Sequence, residues 1–562
     1  MSKFDLFGDL ERSFNIATKW GTWGFKAGRN LKARFSRHEV EERYGPEVAD
    51  AVEADIRAGR DPRPRLERAE RDRIAREERE RQLTDPPPLY GSARWPTSAD
   101  LQPYLRDRTA FDHPRSILLG AFSDENQPTP AGFVHWDGDG HLLTIAPTRS
   151  GKALTTIIPN LLRYRGSCVV LDPKGELFEA TSKWRSTLGP VYRIAPLDDG
   201  SDKPVHRFDP LSRVKRESDA RAIAQMMFPA DPRASAFFMD DAVGVMTGFI
   251  MYVKFKAPPH RQTMATVCQM AMLKGQDLLA VARRMLEFPP SADAGKAILE
   301  KDAQRSLKTL QETISSKLYE WKDADIQRSL SGNDVSFENL KDLTATVYVE
   351  IPFNMMKTFS GYLRVVLKAA LDAMLVNPRT PEIPVLFVLD EFLSIGPFPE
   401  YRDAIRTHAG AGVRLWFFLQ DIYSIEEHYP GNSWRPFLNC AVKQFFGIND
   451  DETAKMIGGY LGHKTHALRT TTSSANISSH LGGWTDDTST NSGFAMTEGV
   501  QFLGRPLLTP DEVRELLGGW KGDGWRYSIT DIAGTRSFKT QLVVHDKSET
   551  CKQRIGTMAK GE

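Results

Sequence analysis

A chain of 562 residues, 40% hydrophobic and 26% charged, is long enough to bury a sizeable core and to divide into two or three domains. Its net charge of +1 excludes a polycation, so contact with nucleic acid must come from local patches or from an assembled pore. Cys168, Cys268, Cys440 and Cys551 stand far apart in no metal-ligand spacing, which points to buried thiols in a reducing compartment rather than to a disulfide or zinc framework.

From the N-terminus, residues 1–37 combine eight Lys/Arg and three Asp/Glu with bulky residues such as Phe4, Phe7, Trp20 and Trp23, a mixture that suits a membrane surface or a partner helix. Residues 61–81 follow with eight Arg and seven acids and almost nothing apolar, the pattern of an exposed charged helix or a disordered arm. Asp85-Pro-Pro-Pro closes this arm, so the predicted domains are an N-terminal arm over 1–88 and a folded body after it. No secretory signal is visible, and no run reaches the ~20 apolar residues that span a bilayer. The longest candidate, Ala242–Val253, is interrupted by Gly and Thr and followed by Lys254.

Residues 141–163, HLLTIAPTRSGKALTTIIPNLLR, predict a short apolar strand, a Gly-Lys turn and an apolar helix. The strand ends at Ala146. Pro147, Thr148, Arg149, Ser150 and Gly151 form a loop whose amides can face an anion, and Lys152, Ala153 and Leu154 open a helix whose positive dipole end adds to the attraction. Lys152 would reach the terminal phosphates of a nucleotide. Two positions depart from the usual P-loop: Ala146 stands for the first glycine and Ala153 for the hydroxyl residue that normally ligates magnesium. Thr155 and Thr156 are near, but point elsewhere on a helix. Alone, such a stretch is equally a plain strand-to-helix turn.

Between Lys152 and Asp390 lie 238 positions, more than a compact α/β core needs, so an inserted domain is expected. From about Ser218 to Glu338 the spacing of apolar residues is helical, punctuated by Pro229, Pro232, Pro258, Pro259, Pro289 and Pro290. TATVYVEIP (344–352) returns to strand, and a helix near Thr358–Leu375 leads on to IPVLFVLDE (383–391). This run reads as a buried central strand ending in two acids at its carboxyl edge, where ligands of parallel sheets bind. Asp390 would hold Mg2+ and Glu391 would polarise an attacking water; the plainer reading is an acidic helix start. GVRLWFFLQD ends a further strand at Gln420, an amide able to sense a γ-phosphate or to cap the next helix, and VKQFFGIND ends another at Asn449. Polar ends on several strands imply a shared edge.

Residues 470–497, rich in Ser, Thr, Asn and Gly with His480, Trp484 and Phe494 as landmarks, read as a long loop or weak hairpin, either functional or a solvated connector. Thr509 and Pro510 then give a strong helix start within GRPLLTPDEVRELL, and a last strand pair is expected around 524–545.

Seven blocks occur together and in order: YGSARWPTSADL (90–101), APTRSGKALTTIIPNLL (146–162), CVVLDPKGELFEATSKWR (168–185), LFVLDEFLSIG (386–396), RLWFFLQDI (414–422), FFGINDDETA (445–454) and GRPLLTPDEV (504–513). In these the chain resembles the type IV secretion coupling proteins, the TraG/TraD-type conjugative DNA-transfer ATPases, over roughly residues 88–545. The resemblance implies an α/β, RecA-like P-loop NTPase core with a mainly parallel sheet, interrupted by an all-α domain. The domains would be nucleotide-binding parts at 89–210 and 341–547 around an all-α insertion at 211–340, with a C-terminal tail at 548–562. It implies ATP and Mg2+ as ligands and Lys152, Asp390, Glu391 and Gln420 as nucleotide residues. It also implies a homo-hexamer at the cytoplasmic face of the bacterial inner membrane, with single-stranded DNA, a relaxase or effector protein, and type IV secretion channel components as partners. The small residue after the lysine recurs in this branch, usually as Gly, which places Ala153 within its range.

The resemblance has two departures. Such proteins generally carry N-terminal transmembrane helices, whereas residues 1–88 are charged and Arg-rich, so attachment would need a separate membrane subunit or the amphipathic start of the arm. The trans-acting arginine of relatives aligns with Ala409; Arg406 and Arg414 flank it, and Arg406 is the substitute candidate. The expected function is an ATP-driven motor that moves single-stranded DNA and its attached protein. A nucleotide-gated receptor with little hydrolysis and a non-hydrolysing ring scaffold are the alternatives.

Overall fold

The computed structural model describes residues 37–556 except 108–111, 125–129, 199, 229–235, 303–304, 480–489 and 520–524. The aromatic, basic start of the arm, Pro229, Pro232 and the landmarks His480 and Trp484 lie outside the described residues.

The described strands are β1 (Leu105–Arg106), β2 (Ile117–Phe122), β3 (Gly132–Trp136), β4 (Leu142–Ile145), β5 (Cys168–Leu171), β6 (Val191–Ile194), β7 (Thr346–Val349), β8 (Val385–Leu389), β9 (Val413–Leu419), β10 (Val442–Phe445), β11 (His463–Ser479), β12 (Thr490–Pro506), β13 (Tyr527–Ile532) and β14 (Phe538–Gln541). Twelve of them form one sheet in the order β1-β3-β2-β14-β13-β10-β4-β9-β8-β5-β7-β6. From β10 to β6 every pairing is parallel, and from β10 back to β1 every pairing is antiparallel. The central strands read as continuous apolar runs because both faces are covered. Leu143, Ile145, Val169, Leu171, Phe387, Leu389, Phe417 and Leu419 enter one core, while Leu142, Cys168, Val170, Leu386, Val388, Trp416 and Phe418 enter the other.

Between β6 and β7 the described residues are helical or irregular. The helices are Glu217–Met227, Ala236–Lys256, Met264–Ala271, Gly275–Met285, Pro289–Leu299, Ser306–Lys317 and Ala324–Ser329. The run Ala242–Val253 is therefore the middle of a bundle helix buried on nearly every side, and no described helix is long and apolar enough to cross a membrane. Proline opens several turns where its missing N–H costs nothing, as at Pro259 and Pro289. Phe249, Met285 and Leu310 of this bundle share a core with the β4–β9 face, so the insertion and one side of the sheet are packed as one.

The chain divides into two compact units, one built from residues 93–462 and 506–556 and the other from 37–92 and 463–505. The second unit holds the helices Arg37–Tyr44, Pro46–Arg57 and Arg63–Thr84, so the charged stretch is helical, closed around Val40, Ala49, Val52 and Leu66. The segment read as a loop or weak hairpin is a two-stranded ribbon, β11 with β12, each 17 residues long. It joins the helical segment: the Tyr90 amide donates to Thr465 Oγ1 at 3.0 Å, Ser92 bridges Lys464, and Arg469 pairs with Glu80.

In the larger unit the expected start at Thr509 is a full capping box. The Thr509 hydroxyl accepts from the Glu512 amide while Glu512 accepts from the Thr509 amide, and Pro510 opens the helix Pro510–Leu517.

Candidate nucleotide site

Parallel register brings the ends of β4, β9, β8, β5 and β7 to one edge. Ile145 lies opposite Leu419, Leu389 opposite Phe417, and Leu171 opposite both Leu389 and Val349. The next residues, Ala146, Gln420, Asp390, Asp172 and Glu350, therefore emerge together where an open α/β sheet binds ligands.

The loop after β4 is held from both sides. Ala146 is fully buried with Phe446 and Leu542, and its amide donates to the Leu419 carbonyl at 2.8 Å. That packing explains a small apolar residue at this position. Arg149 has φ 60° and Gly151 φ 86°, so the loop turns through left-handed backbone, which is costly at the arginine. Gly447, after β10, has φ +73°, and a Cβ there would lie 2.6 Å from both Ser150 Cβ and Arg526 Nη1. Only glycine lets the β10 end approach the loop so closely.

The helix that follows is irregular in its first turns. Residues Ala153–Ile157 are π-helical, and the α-helix proper runs Ile158–Arg163. Pro159 supplies the cause: it has no N–H to return to the preceding turn and its ring crowds the carbonyl four residues back. Thr155 Oγ1 donates to the Gly151 carbonyl at 2.9 Å and sits 3.3 Å from Thr156 Oγ1. Neither threonine replaces the hydroxyl missing at Ala153.

Lys152 is 8% exposed, donates to Glu391 Oε1 at 2.8 Å and stands 3.7 Å from Asp390 Oδ1. Gln420 Nε2 donates to Glu391 Oε2 at 2.8 Å. Four residues singled out in the sequence thus meet in one buried cluster. Glu391 sits at φ 50°; it and Arg149 are the two non-glycine residues with positive φ among those described, and both flank Lys152. Strained backbone concentrated in this way marks a site whose side-chain directions matter more than local comfort.

Burial pushes the Asp390 carboxyl up to about 6, against the opposing pull of Lys152, with Glu391 adding to the rise. Its Oδ1 accepts no hydrogen bond. A buried carboxylate oxygen with an open lone pair fits a hard divalent cation, so the residues present suit Mg2+ at Asp390. Ser150 Oγ, in the loop, is likewise buried without a partner.

Two acids of this edge were not singled out from the sequence. Asp172 follows β5 and accepts from the Phe178 amide at 2.8 Å; burial raises its carboxyl to about 7, and Glu350 and Asp390 add to the rise. Glu350 follows β7 and pairs with Arg193, which also holds Asp198. The signal was present, since LD, VE and LDE each close an apolar strand in the same way.

Other expected residues lie elsewhere. Asn449 is turned to the end of helix Pro510–Leu517, where its amide nitrogen donates to the Gly518 and Ile448 carbonyls. Arg406 is exposed in the last turn of helix Pro399–Thr407, just before β9 begins. At ~3.3 Å per residue, β9 separates it from the Gln420 edge by roughly 20 Å, so it takes no part in this chain's own site. Arg414 is fully buried, donating to the carbonyls of Gly138, Asp137 and Arg115 and lying over the Trp136 ring, which commits it to the core. Thr148, Arg149 and Leu154 are exposed on the loop and its helix.

A family model described as type IV secretory system conjugative DNA transfer matches residues 110–519. A VirD4 protein of Rhizobium radiobacter is 27% identical over 409 residues, covering 70% of this chain and 58% of that protein. A conjugal transfer protein TraG of Escherichia coli is 25% identical over 472 residues, covering 76% of this chain and 72% of that protein. The chain spans about three fifths of the length of the VirD4 relatives, 58% and 62% for two of them. Among solved structures, the bacterial conjugative coupling protein TrwBdeltaN70 with sulphate aligns with a TM-score of 0.54 at 15% identity, over 81% of this chain and 96% of that one. The plasmid coupling protein TrwB with ADP and Mg2+ gives 0.52 at 15% identity over the same shares. These structures share the RecA-like P-loop fold.

Proposed function

The chain belongs to the type IV secretory system conjugative DNA transfer family, and we propose that it is an ATP-driven coupling protein that recruits and moves single-stranded DNA, with its attached relaxase or an effector protein, toward a type IV secretion channel. The observation that carries this reading is the meeting of Lys152, Asp390, Glu391 and Gln420 at one end of the parallel sheet.

The chemistry follows from the contacts. Without nucleotide, Lys152 is paired with Glu391. When the loop amides and Lys152 take up the terminal phosphates, the lysine exchanges a carboxylate for a more highly charged partner and frees Glu391. Glu391 then accepts the proton of the attacking water, and Gln420, bonded to its other oxygen, fixes its direction. Mg2+ held at Asp390 supplies charge neutralisation at the phosphates when bound. TrwB was solved with an ATP analogue and with ADP and Mg2+, which supports this choice of ligands. The assembly is a homo-hexameric ring peripheral at the cytoplasmic face of the bacterial inner membrane. A separate membrane subunit, or the amphipathic residues 1–37, attaches it. Arg406, remote from its own site, acts on the neighbour's nucleotide.

A nucleotide-gated receptor with little hydrolysis is the second reading, favoured by Ala153, whose missing hydroxyl neither Thr155 nor Thr156 replaces. Phosphate release by the oligomeric protein separates the two. The motor hydrolyses ATP, is stimulated by DNA and is silenced by Lys152→Ala. Tight ATP binding with no turnover, with or without DNA, contradicts the motor.

A further inference from the structure

Beside the Glu391 turn lies a cleft of about 540 Å3 that the nucleotide chemistry does not use. Its walls are the turn Phe353–Met355 after β7, the first turns of helix Ser360–Val376, the turn Phe392–Ile395 after β8 and the end of helix Ile422–His428. All four follow parallel strands, so the cleft opens on the same edge as Lys152.

Its lining is mixed: the cations Lys357 and Arg364 stand with the polar His428, Ser360 and Ser394 over the apolar Leu393 and Ile395, with Phe353 at the rim. Lys357 is exposed and has no hydrogen-bond or ion-pair partner among the described residues. Arg364 spends one donor on the Ile395 carbonyl, at 2.9 Å, and keeps the rest of its fork. His428 engages the Ser424 carbonyl through Nδ1, which leaves Nε2. Glu400 and Glu320 are acids near Arg364; burial raises the Glu320 carboxyl to about 7, and it accepts from the Gly361 and Tyr362 amides. That carboxylate takes up the helix dipole, so the pull on an anion comes from the side chains. Phe353 is 54% exposed, an apolar ring standing in water next to a free lysine.

We propose that this cleft holds a phosphodiester of single-stranded DNA between Lys357 and Arg364, with an unpaired base stacked on Phe353. Cations that track a backbone beside an exposed aromatic face are the composition that binds single strands without reading their sequence. A paired base has no free face to offer the ring, so duplex binds less well. The cleft also explains how DNA reaches the catalytic acid. Arg364 grips the carbonyl of Ile395, and the turn Phe392–Ile395 begins at the strained Glu391, so a phosphate drawing on Arg364 bears on the carboxylate's backbone. The inference rests on the motor reading above.

The test is binding of a fluorescein-labelled oligothymidylate to the full chain, read by anisotropy across a salt series. Phe353→Ala and Lys357→Ala alter exposed side chains, and their melting temperatures are measured alongside. Loss of one stacking partner is expected to weaken binding by fivefold or more, at the low end of ~1–3 kcal/mol per base. Loss of one phosphate contact flattens the log–log salt slope by about 0.7. Strand binding by the parent that both variants retain unchanged overturns the cleft and leaves the motor reading standing. A parent chain that binds no single strand overturns both. Displacement by millimolar inorganic phosphate as effective as that by unlabelled oligothymidylate overturns the DNA assignment in favour of a free-phosphate site.

Discussion

Replacing Asp172 by asparagine is expected to raise the melting temperature at alkaline pH and to leave it unchanged near pH 4. Burial, with Glu350 and Asp390 close by, raises this carboxyl to about 7 from an ordinary value of 3.8. The folded chain therefore holds a proton that the unfolded chain has released, and stability falls as pH rises from the unfolded value through about 7. The linkage amounts to about 4 kcal/mol when complete. Unfolding a unit of about 430 residues carries an entropy near ~0.9 kcal/mol per kelvin, so the shift is ~4 °C. Asparagine keeps an oxygen for the Phe178 amide and never ionises, so the variant escapes the loss. Differential scanning fluorimetry at pH 5 and pH 8 compares the two chains. Equal melting temperatures at both values, or the same destabilisation at both, would refute the claim that this acid is held in its neutral form.

Gly447→Ala is expected to weaken binding of a fluorescent ATP analogue by about tenfold, because left-handed backbone costs ~1–2 kcal/mol and the new methyl meets Ser150 and Arg526 at 2.6 Å; titration checks it. Ala153→Ser restores a hydroxyl at the head of the helix and is expected to lower the Mg2+ concentration needed for half-maximal turnover several-fold, read from a metal titration.

The nucleotide edge was legible because its parts are local patterns. A Gly-Lys turn after LLTI, acids after VLFVL and an amide after VRLWFFL each announce a strand end, and parallel pairing converts them into one site. Asp172 and Glu350 carry the same pattern and were passed over, since an acid after a strand is common and only register shows three of them converging. The insertion was visible in its helical period. What that period could not show is that Phe249 and Met285 would share a core with β4 and β9, because packing partners are not encoded in spacing. Asn449 and Arg414 misled for a related reason. Both sit near strand ends, but one faces a helix terminus and the other is enclosed by carbonyls, and side-chain direction depends on the tertiary neighbours. The ribbon of β11 and β12 was legible only as one of two readings, loop or weak hairpin, because its polar composition lacks the alternation that marks a half-buried strand and does not show its length of 17 residues a side.

The central claim is that Glu391 is the group that activates water at a site where Lys152 holds the phosphates. Glu391→Gln keeps a hydrogen-bonding oxygen but cannot take a proton. The decisive measurement is therefore ATP affinity and phosphate release on the same oligomeric preparation of parent and variant. The account predicts unchanged or tighter ATP binding and a loss of turnover of at least about a hundredfold. Phosphate release by Glu391→Gln at the parent's rate would contradict it.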